Sequence, residues 1–335
     1  MTPTLTLSPK LKSPWRLCST VGLALAALSL APAAMADTYP SKTVRIIVPY
    51  GTGGGADTLA RQLGASLQQL WGQGIAVDNR AGASGNIGSE AVVRSPADGY
   101  TLLLQNSTMV VNMGLGVKLN YDPEKDLTPI MLLGITPIAL AAHPSLNVKN
   151  LKQLQDYARA NPGKLSYGSC GVGTPMHFVM ELVKQKTSLD AVHAGYKGCA
   201  PAVTDVVGGQ IPLAILSANL VAPYAKAGKL NVVGVASQKR YALLPDVATL
   251  EEQGLKPLDF STWFALMGPA NMPAAVVTRI VADVQKVLAD PAVQSRLSNA
   301  GVEPYAGSGA DLARLIRSDK LRYEQLAKAA NIKPE

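Results

Sequence analysis

Val44-Arg45-Ile46-Ile47-Val48-Pro49-Tyr50-Gly51-Thr52-Gly53-Gly54-Gly55-Ala56-Asp57 passes from an apolar strand, through a glycine turn, to a helix start. The run VRIIVP over 44–49 reads as a strand buried on both faces. The glycines at 51 and 53–55 demand a turn, because only glycine adopts positive φ freely. Asp57 and Thr58 then open a helix whose Leu59, Leu63, Leu67 and Leu70 recur at helical spacing. Gly72 and Gly74 end it. A strand, a glycine turn and a helix start gather unpaired backbone N–H groups at one point, where the helix macrodipole adds about half a positive charge. Such a site receives an anion without any charged side chain. Asp57 is expected to cap the helix or brace the loop, since Asp favours such starts. A turn serving structure alone would need only one or two glycines.

The same residues satisfy a dinucleotide pattern, Gly51-x-Gly53-x-x-Ala56, with Asp78 about 20 residues on, where a ribose-binding acid would sit. A short glycine pattern is a weak signal, and the export inferred below removes the chain from the cytoplasmic cofactor pool.

Outward from this segment the grammar repeats. Ile75 to Val77 is a second strand, and NRAGASGNIG over 79–88 a second glycine-rich loop. A short helix around Glu90 to Arg94 precedes a third strand, Thr101 to Leu104, which ends in the polar Gln105-Asn106-Ser107-Thr108. Pro129 to Ala142 is apolar and long enough to run from one lobe into another. Strands at Leu165–Ser169, Ile211–Leu216 and Leu230–Ala236 then alternate with helices at Val148–Ala160, Met176–Lys186, Pro201–Val207 and Leu220–Ala227. Trp263 to Met267 is an apolar run that returns the chain to the first lobe. Two amphipathic helices, Ala274–Leu288 and Ala310–Ala330, are expected to pack on that lobe's sheet. This alternation predicts an α/β protein of two βαβ-type domains joined by two crossing strands, a clamshell.

The first residues address the chain. Lys10, Lys12 and Arg16 precede an apolar run from Leu17 to Leu30, and Ala34-Met35-Ala36 fits an A-x-A cleavage site. This is a secretory signal peptide pattern over 1–36, with an apolar core too short for the roughly 20 residues of a spanning helix. Cleavage at Ala36-Asp37 removes three of the 31 basic residues and none of the 23 acidic ones, leaving 28 against 23, a net charge of +5. A mild positive excess suits attraction of anionic solutes. Lys/Arg clusters interleaved with aromatics are missing, so nucleic acid is not an expected partner. Of the three cysteines, Cys170 and Cys199 remain after cleavage, and an oxidising compartment favours a disulfide between them.

Catalytic constellations are thin. His143, His177 and His193 are the only histidines, and none has metal-ligand spacing to another His, Cys or acid. Cys170 near His177 or His193 suggests a thiol nucleophile only if it stays unpaired. G-x-S-x-G, Walker A and His-Glu-x-x-His patterns do not occur. No catalytic residue, metal or cofactor is expected.

Five ordered segments carry a resemblance: YPSKTVRIIVPYGTGGGAD, NRAGASGNIGSEAVVRSPADGYTLLL, YGSCGVGTPMH, YKGCAPAVTDVVGGQIP and AKAGKL. Together they resemble the tripartite tricarboxylate transporter substrate-binding family, the Bug receptors. That resemblance implies a two-lobed periplasmic binding protein fold of type II-like form, and a receptor that closes on a small carboxylate without chemistry. Lobe one is expected over 37–136 plus 264–335, and lobe two over 137–263. Carried onto this chain, the ligand-contacting positions are Tyr50, Gly51, Thr52, Gly53, Gly54, Gly55 and Ala56, with Asn106, Ser107 and Thr108, from lobe one. Lobe two supplies Ser169, Gly173, Thr174 and His177, with Tyr196 and Lys197. His177 also reads as a structurally satisfied histidine. The implied partners are a carboxylate and membrane permease subunits, and a monomer is expected. Many family members have Phe-Asp-Asn where Ile215-Leu216-Ser217 stands here. An apolar Leu216 facing the ligand would favour an acid without an amine, such as a phthalate or another di- or tricarboxylate. Leu216 packed inside the lobe would say nothing of the ligand. The competing readings are an exported enzyme acting on a carboxylated substrate and a ligand sensor feeding a two-component system.

Overall fold

The computed structural model describes residues 39–258 and 260–330, together with 4 and 332. The signal segment over 1–36, apart from residue 4, lies outside the described residues. Among them, no helix is long and apolar enough to cross a membrane.

Strand β1 (Val44–Val48) is buried at every position except Arg45, as a strand covered on both faces must be. It lies parallel to β2 (Ile75–Asn79) and β3 (Thr101–Asn106). Helix α1 (Gly55–Trp71) returns over them with Leu59, Leu63 and Leu67 buried, each contributing about 1.5–3 kcal/mol by leaving water. It stops at Gly72, whose φ of 65° lets its N–H reach Gln68 O. Helix α2 (Asn86–Val93) follows the second glycine loop, and α3 (Thr108–Gly114) follows β3.

The spine is β4 (Leu127–Ala142), 16 residues long. Its first part pairs β9 (Ser261–Pro269) and β10 (Glu303–Ser308). Its last part pairs β7 (Leu213–Ser217) and β8 (Asn231–Ala236). Each second-half strand gives way to a first-half one: Ala236 opposite Ile138 is followed by Ser261 opposite Pro137, and Ser217 opposite Ile138 by Glu303 opposite Ile135. The return crossing runs through Phe260, whose N–H donates to Ala236 O. Strand β9 thus begins three residues before the expected lobe limit at 264, because Ser261, Thr262 and Trp263 already pair with β4. Beyond β7, β5 (Ser166–Ser169) and β6 (Val192–Gly195) complete a sheet of ten strands.

Strand directions place the loops. β3 and β4 are both antiparallel to β9, so β1, β3 and β4 run the same way, toward the second half. β7 is antiparallel to β4, and β5 and β6 are parallel to β7, so these three run back toward the first half. The carboxyl ends of the two half-sheets face one another across the crossing. In open α/β sheets that is where ligands bind.

The second half is covered by α4 (Leu151–Ala160), α5 (Pro175–Thr187), α6 (Cys199–Val207) and α7 (Ala218–Lys226). Helix α8 (Ala274–Ala289) packs on the first half with α1, as its apolar spacing predicts, and α9 (Pro291–Asn299), not read from the sequence, packs beside it. Helix α10 (Gly309–Ala330) packs on the first half too, against β4 and α3, and also reaches into the second. Its Tyr323 meets Phe178 of α5 edge-on at 5.2 Å, and its Arg322 guanidinium lies 3.5 Å above the Phe260 ring. Asp319 accepts from Trp263 Nε1 at 2.9 Å. One apolar stripe, Leu312, Ile316, Tyr323 and Ala327, therefore joins a core shared by both halves. Leu216 is wholly buried with Ala139, Val235 and Val221 in the second half's own core. It presents nothing to a ligand, and the argument for an amine-free acid from that position falls.

Candidate functional site

On the first half, Tyr50 to Gly54 form the turn between β1 and α1, exposed at Gly51, Thr52 and Gly53. The first intrahelical bond of α1 runs from Thr58 N–H to Gly54 O. The N–H groups of Gly55, Ala56 and Asp57 are therefore left without a helical acceptor, as at any helix start. Gly53, at φ 81°, turns its own N–H onto Asp57 Oδ2 at 2.9 Å, so it is not among the donors offered outward. Asp57 Oδ1 lies 2.9 Å from the Arg61 guanidinium. Burial opposes the ionisation of Asp57, but bonds from Arg61 and the Gly53 N–H outweigh it and hold the carboxyl below its usual range. The braced loop thus keeps its acid charged and compensated. A Cβ on Gly55 would stand 2.9 Å from Phe264 Cζ, so any side chain there must push the ring aside.

The β3 end lies beside this loop. Tyr50 Oη donates toward Gln105 Oε1 at 2.5 Å and Asn106 Oδ1 at 2.7 Å, and Asn106 Oδ1 also accepts the Thr108 N–H at 2.9 Å. Ser107 is fully buried and gives its N–H to Trp263 O. Burial raises the Tyr50 phenol, which stays neutral. The α3 segment was not legible as a helix, and Gln105 not as a member of the site.

On the second half, Ser169 ends β5, buried, with its Oγ 2.7 Å from His193 Nε2. His193 stacks on His177 with ring centres 4.0 Å apart and on Tyr167 at 4.8 Å. Thr174 caps α5: its Oγ1 accepts the His177 N–H at 3.4 Å and donates to Gly171 O at 2.8 Å. Gly173, at φ 70°, gives its N–H to His177 Nδ1 at 3.3 Å. His177 is therefore neutral with its proton on Nε2. Burial first, then the neighbouring His193, lowers it to about 4. Tyr196 turns its hydroxyl away to Asp205 Oδ2 at 2.7 Å, and burial together with that bond pushes it up to about 12. Lys197 is exposed in the same loop. Cys170 and Cys199 are bonded, tying the Gly171–Thr174 turn to the first residue of α6. The thiol nucleophile is thereby removed.

The two halves touch near these loops. A Cβ on Gly173 would come within 2.8 Å of Cδ1 of Leu115, the residue that closes α3. Leu115 was not singled out in the sequence, because it sits at the end of a helix that carries no periodic signal, and His193 was weighed only as a partner of a free Cys170, not as the ring stacked on His177. A cavity of about 780 Å³ elsewhere, lined by Lys149, Lys226, Asn231, Leu244 and Gln253 among others, shares no residue with these loops. Among the described residues no group of three or more His, Cys, Asp or Glu is placed to hold a metal ion.

Comparison with known proteins gives a consistent result. The model of the tripartite tricarboxylate transporter family receptor matches residues 59–332. Protein BugT of Bordetella pertussis is 33% identical over 291 residues, covering 86% of this chain and 89% of that one. An R. palustris protein solved with adipate superposes at a TM-score of 0.81, with 32% identity, over 89% of this chain and 100% of that one. MatC from Rhodopseudomonas palustris, solved with bound malate, superposes at 0.77 with 28% identity, over 86% of this chain and 99% of that one.

Proposed function

This chain belongs to the tripartite tricarboxylate transporter receptor family, and from that membership we propose that it captures a small dicarboxylate between two closing lobes and hands it to membrane permease subunits. The family consists of periplasmic solute-binding proteins, so the chain is a receptor rather than an enzyme. Cleavage between Ala36 and Asp37 on export would release a monomeric receptor.

The observation that carries the reading is topological. The carboxyl ends of β1 and β3 face those of β5 and β6 across the crossing of β4, and the start of α1 beside them presents backbone N–H groups that have no helical acceptor. One carboxylate would sit against the N–H groups at the start of α1 and the Asn106 to Thr108 turn. The other end of the solute would meet Ser169, Thr174 and His177. Tyr196 and Lys197 would border that end. A dicarboxylate is favoured because the related structures solved with adipate and malate each hold a diacid. Each helix-start interaction with an anion contributes about 0.3–1 kcal/mol, more in a dry site. Micromolar affinity requires about 8 kcal/mol, so several donors, apolar contact and closure must act together. Closure would swing residues 137–260 against the rest by hinge motion at the two crossings.

Isothermal titration with adipate, malate, citrate, phthalate and terephthalate tests this. At least one acid should bind at micromolar Kd and be recovered unchanged. Absence of binding across the panel, or turnover of a bound acid, would sink the reading.

A further inference from the structure

A chain of hydrogen bonds runs beneath the first half's loops. Ser89 Oγ donates to Gly85 O at 2.8 Å, and Gln105 Nε2 donates to Ser89 Oγ at 2.8 Å. Gln105 Oε1 accepts from the Asn106 backbone N–H at 2.8 Å and from Tyr50 Oη at 2.5 Å. Ser89 and Gln105 are buried, at 0% and 1% exposure, so neither can exchange these partners for water.

The orientation of both amides follows from chemistry. A backbone N–H can only donate, so the Gln105 atom facing the Asn106 N–H must be oxygen, which leaves Nε2 toward Ser89. In the same way the Thr108 N–H fixes Oδ1 of Asn106 as the inward atom. The Tyr50 hydroxyl stands within hydrogen-bond distance of both inward oxygens, so its single proton is shared between them. The Tyr50 ring is seated on Gly85, where φ is 91° and a Cβ would stand 3.0 Å from the hydroxyl oxygen. With its oxygen doubly engaged, half-buried Asn106 turns Nδ2 the other way, and among the described residues no acceptor is paired with it.

We propose that Gln105 is a positioning residue: through Tyr50 and the Asn106 backbone it locks the Asn106 amide oxygen inward, so that Nδ2 meets the ligand as a pure donor. This rests on the carboxylate-receptor reading above and adds a rule of selection to it. A site whose amide can only donate accepts a carboxylate oxygen and turns away an ammonium group. The discrimination comes from the buried side of the amide.

The test uses the full receptor and the tightest-binding acid of the panel above. In ¹⁵N-resolved spectra of the wild type, the Asn106 side-chain amide, assigned by its loss in Asn106→Asp, should shift on saturation with that acid. Gln105→Leu should weaken binding about tenfold, the size expected when a buried acceptor is lost. Gln105→Glu, which keeps an oxygen for Tyr50 and for the Asn106 N–H, should recover most of that affinity. An unmoved Asn106 signal in a wild type that binds the acid overturns the proposal, as do equal losses in the Leu and Glu variants. If Gln105→Leu does not fold, Gln105→Glu decides: affinity near wild type with the Asn106 signal still shifting supports the proposal, and a tenfold loss overturns it. A wild type that binds no acid at all instead removes the receptor reading on which the proposal stands.

Discussion

Replacing His177 by glutamine should change how stability responds to acid, in a window set by one buried ring. In the folded protein His177 is lowered to about 4 from a usual value near 6.5, by burial first and then by the His193 ring 4.0 Å away and by Lys184, with Glu181 opposing. A base whose folded pKa is depressed binds fewer protons folded than unfolded. Its contribution is therefore complete above about pH 6.5 and is lost as pH falls toward 4. A gap of this size corresponds to about 2–3 kcal/mol at pH 4, after allowance for the ring's partial contact with solvent. The ring also loses its structural bond there, because a protonated Nδ1 can no longer accept the Gly173 N–H. Urea unfolding of the wild type and of His177→Gln at pH 7, 6, 5 and 4 isolates the effect, since carboxylates that titrate in this range are common to both. The wild type should lose about 2–3 kcal/mol more than the variant between pH 7 and pH 4. A difference that stays constant across the series would refute the reasoning. Equal loss confined below pH 4 in both proteins would do the same.

Three further outcomes follow from the loops. Thr174→Trp should abolish binding of the panel acids while the protein remains folded, because the cap it removes is worth only about 1 kcal/mol; calorimetry and circular dichroism read both sides of that statement. Gly55→Ala forces a methyl group to 2.9 Å from the Phe264 ring and should cost about 1–3 kcal/mol in urea unfolding, whereas Gly72→Ala should cost less than 2 kcal/mol through its positive φ alone. Replacing both Cys170 and Cys199 by serine opens a loop with a sequence separation of 29 and should destabilise by about 3–4 kcal/mol; loss below 1 kcal/mol would show that the loop is already ordered without its bond.

The strand–turn–helix at 44–72 was legible because each part carries its own signal: a run buried on both faces, a glycine turn, and leucines at helical spacing; of the four turn glycines only Gly53 takes the positive φ expected of them. β4 was legible by its length. Other parts speak only in three dimensions. Helix α3 is short and buried at Thr108, Met109, Val110, Val111 and Asn112 in succession, so it has no polar face for a period to reveal. β10 contains Pro304 and is exposed at Tyr305, Ala306 and Ser308, and its strand character comes from β4 alone. Period-two reasoning could not say which face of β7 Leu216 occupies, and the apolar core of the second half claimed it.

The site shows the same division. Glycine loops announce themselves, but the bond between Tyr50 and Asn106 joins residues 56 apart in sequence, and Gln105 looks like an ordinary polar strand end. That Gly53 spends its N–H on Asp57, and Tyr196 its hydroxyl on Asp205, follows from local geometry that spacing does not encode. Nor did the amphipathic pattern of α10 reveal that its apolar face is shared between the halves through Tyr323, since a stripe fixes that a helix is buried and not against what.

A crystal structure of the protein grown with its tightest-binding acid tests the central claim most directly. One carboxylate should lie within hydrogen-bond distance of the N–H groups of Gly55 and Ala56 or of Asn106 Nδ2, with the remainder of the acid enclosed by Thr174 and His177. The acid seated instead in the cavity between Lys149 and Lys226, with the glycine turn untouched, would contradict it.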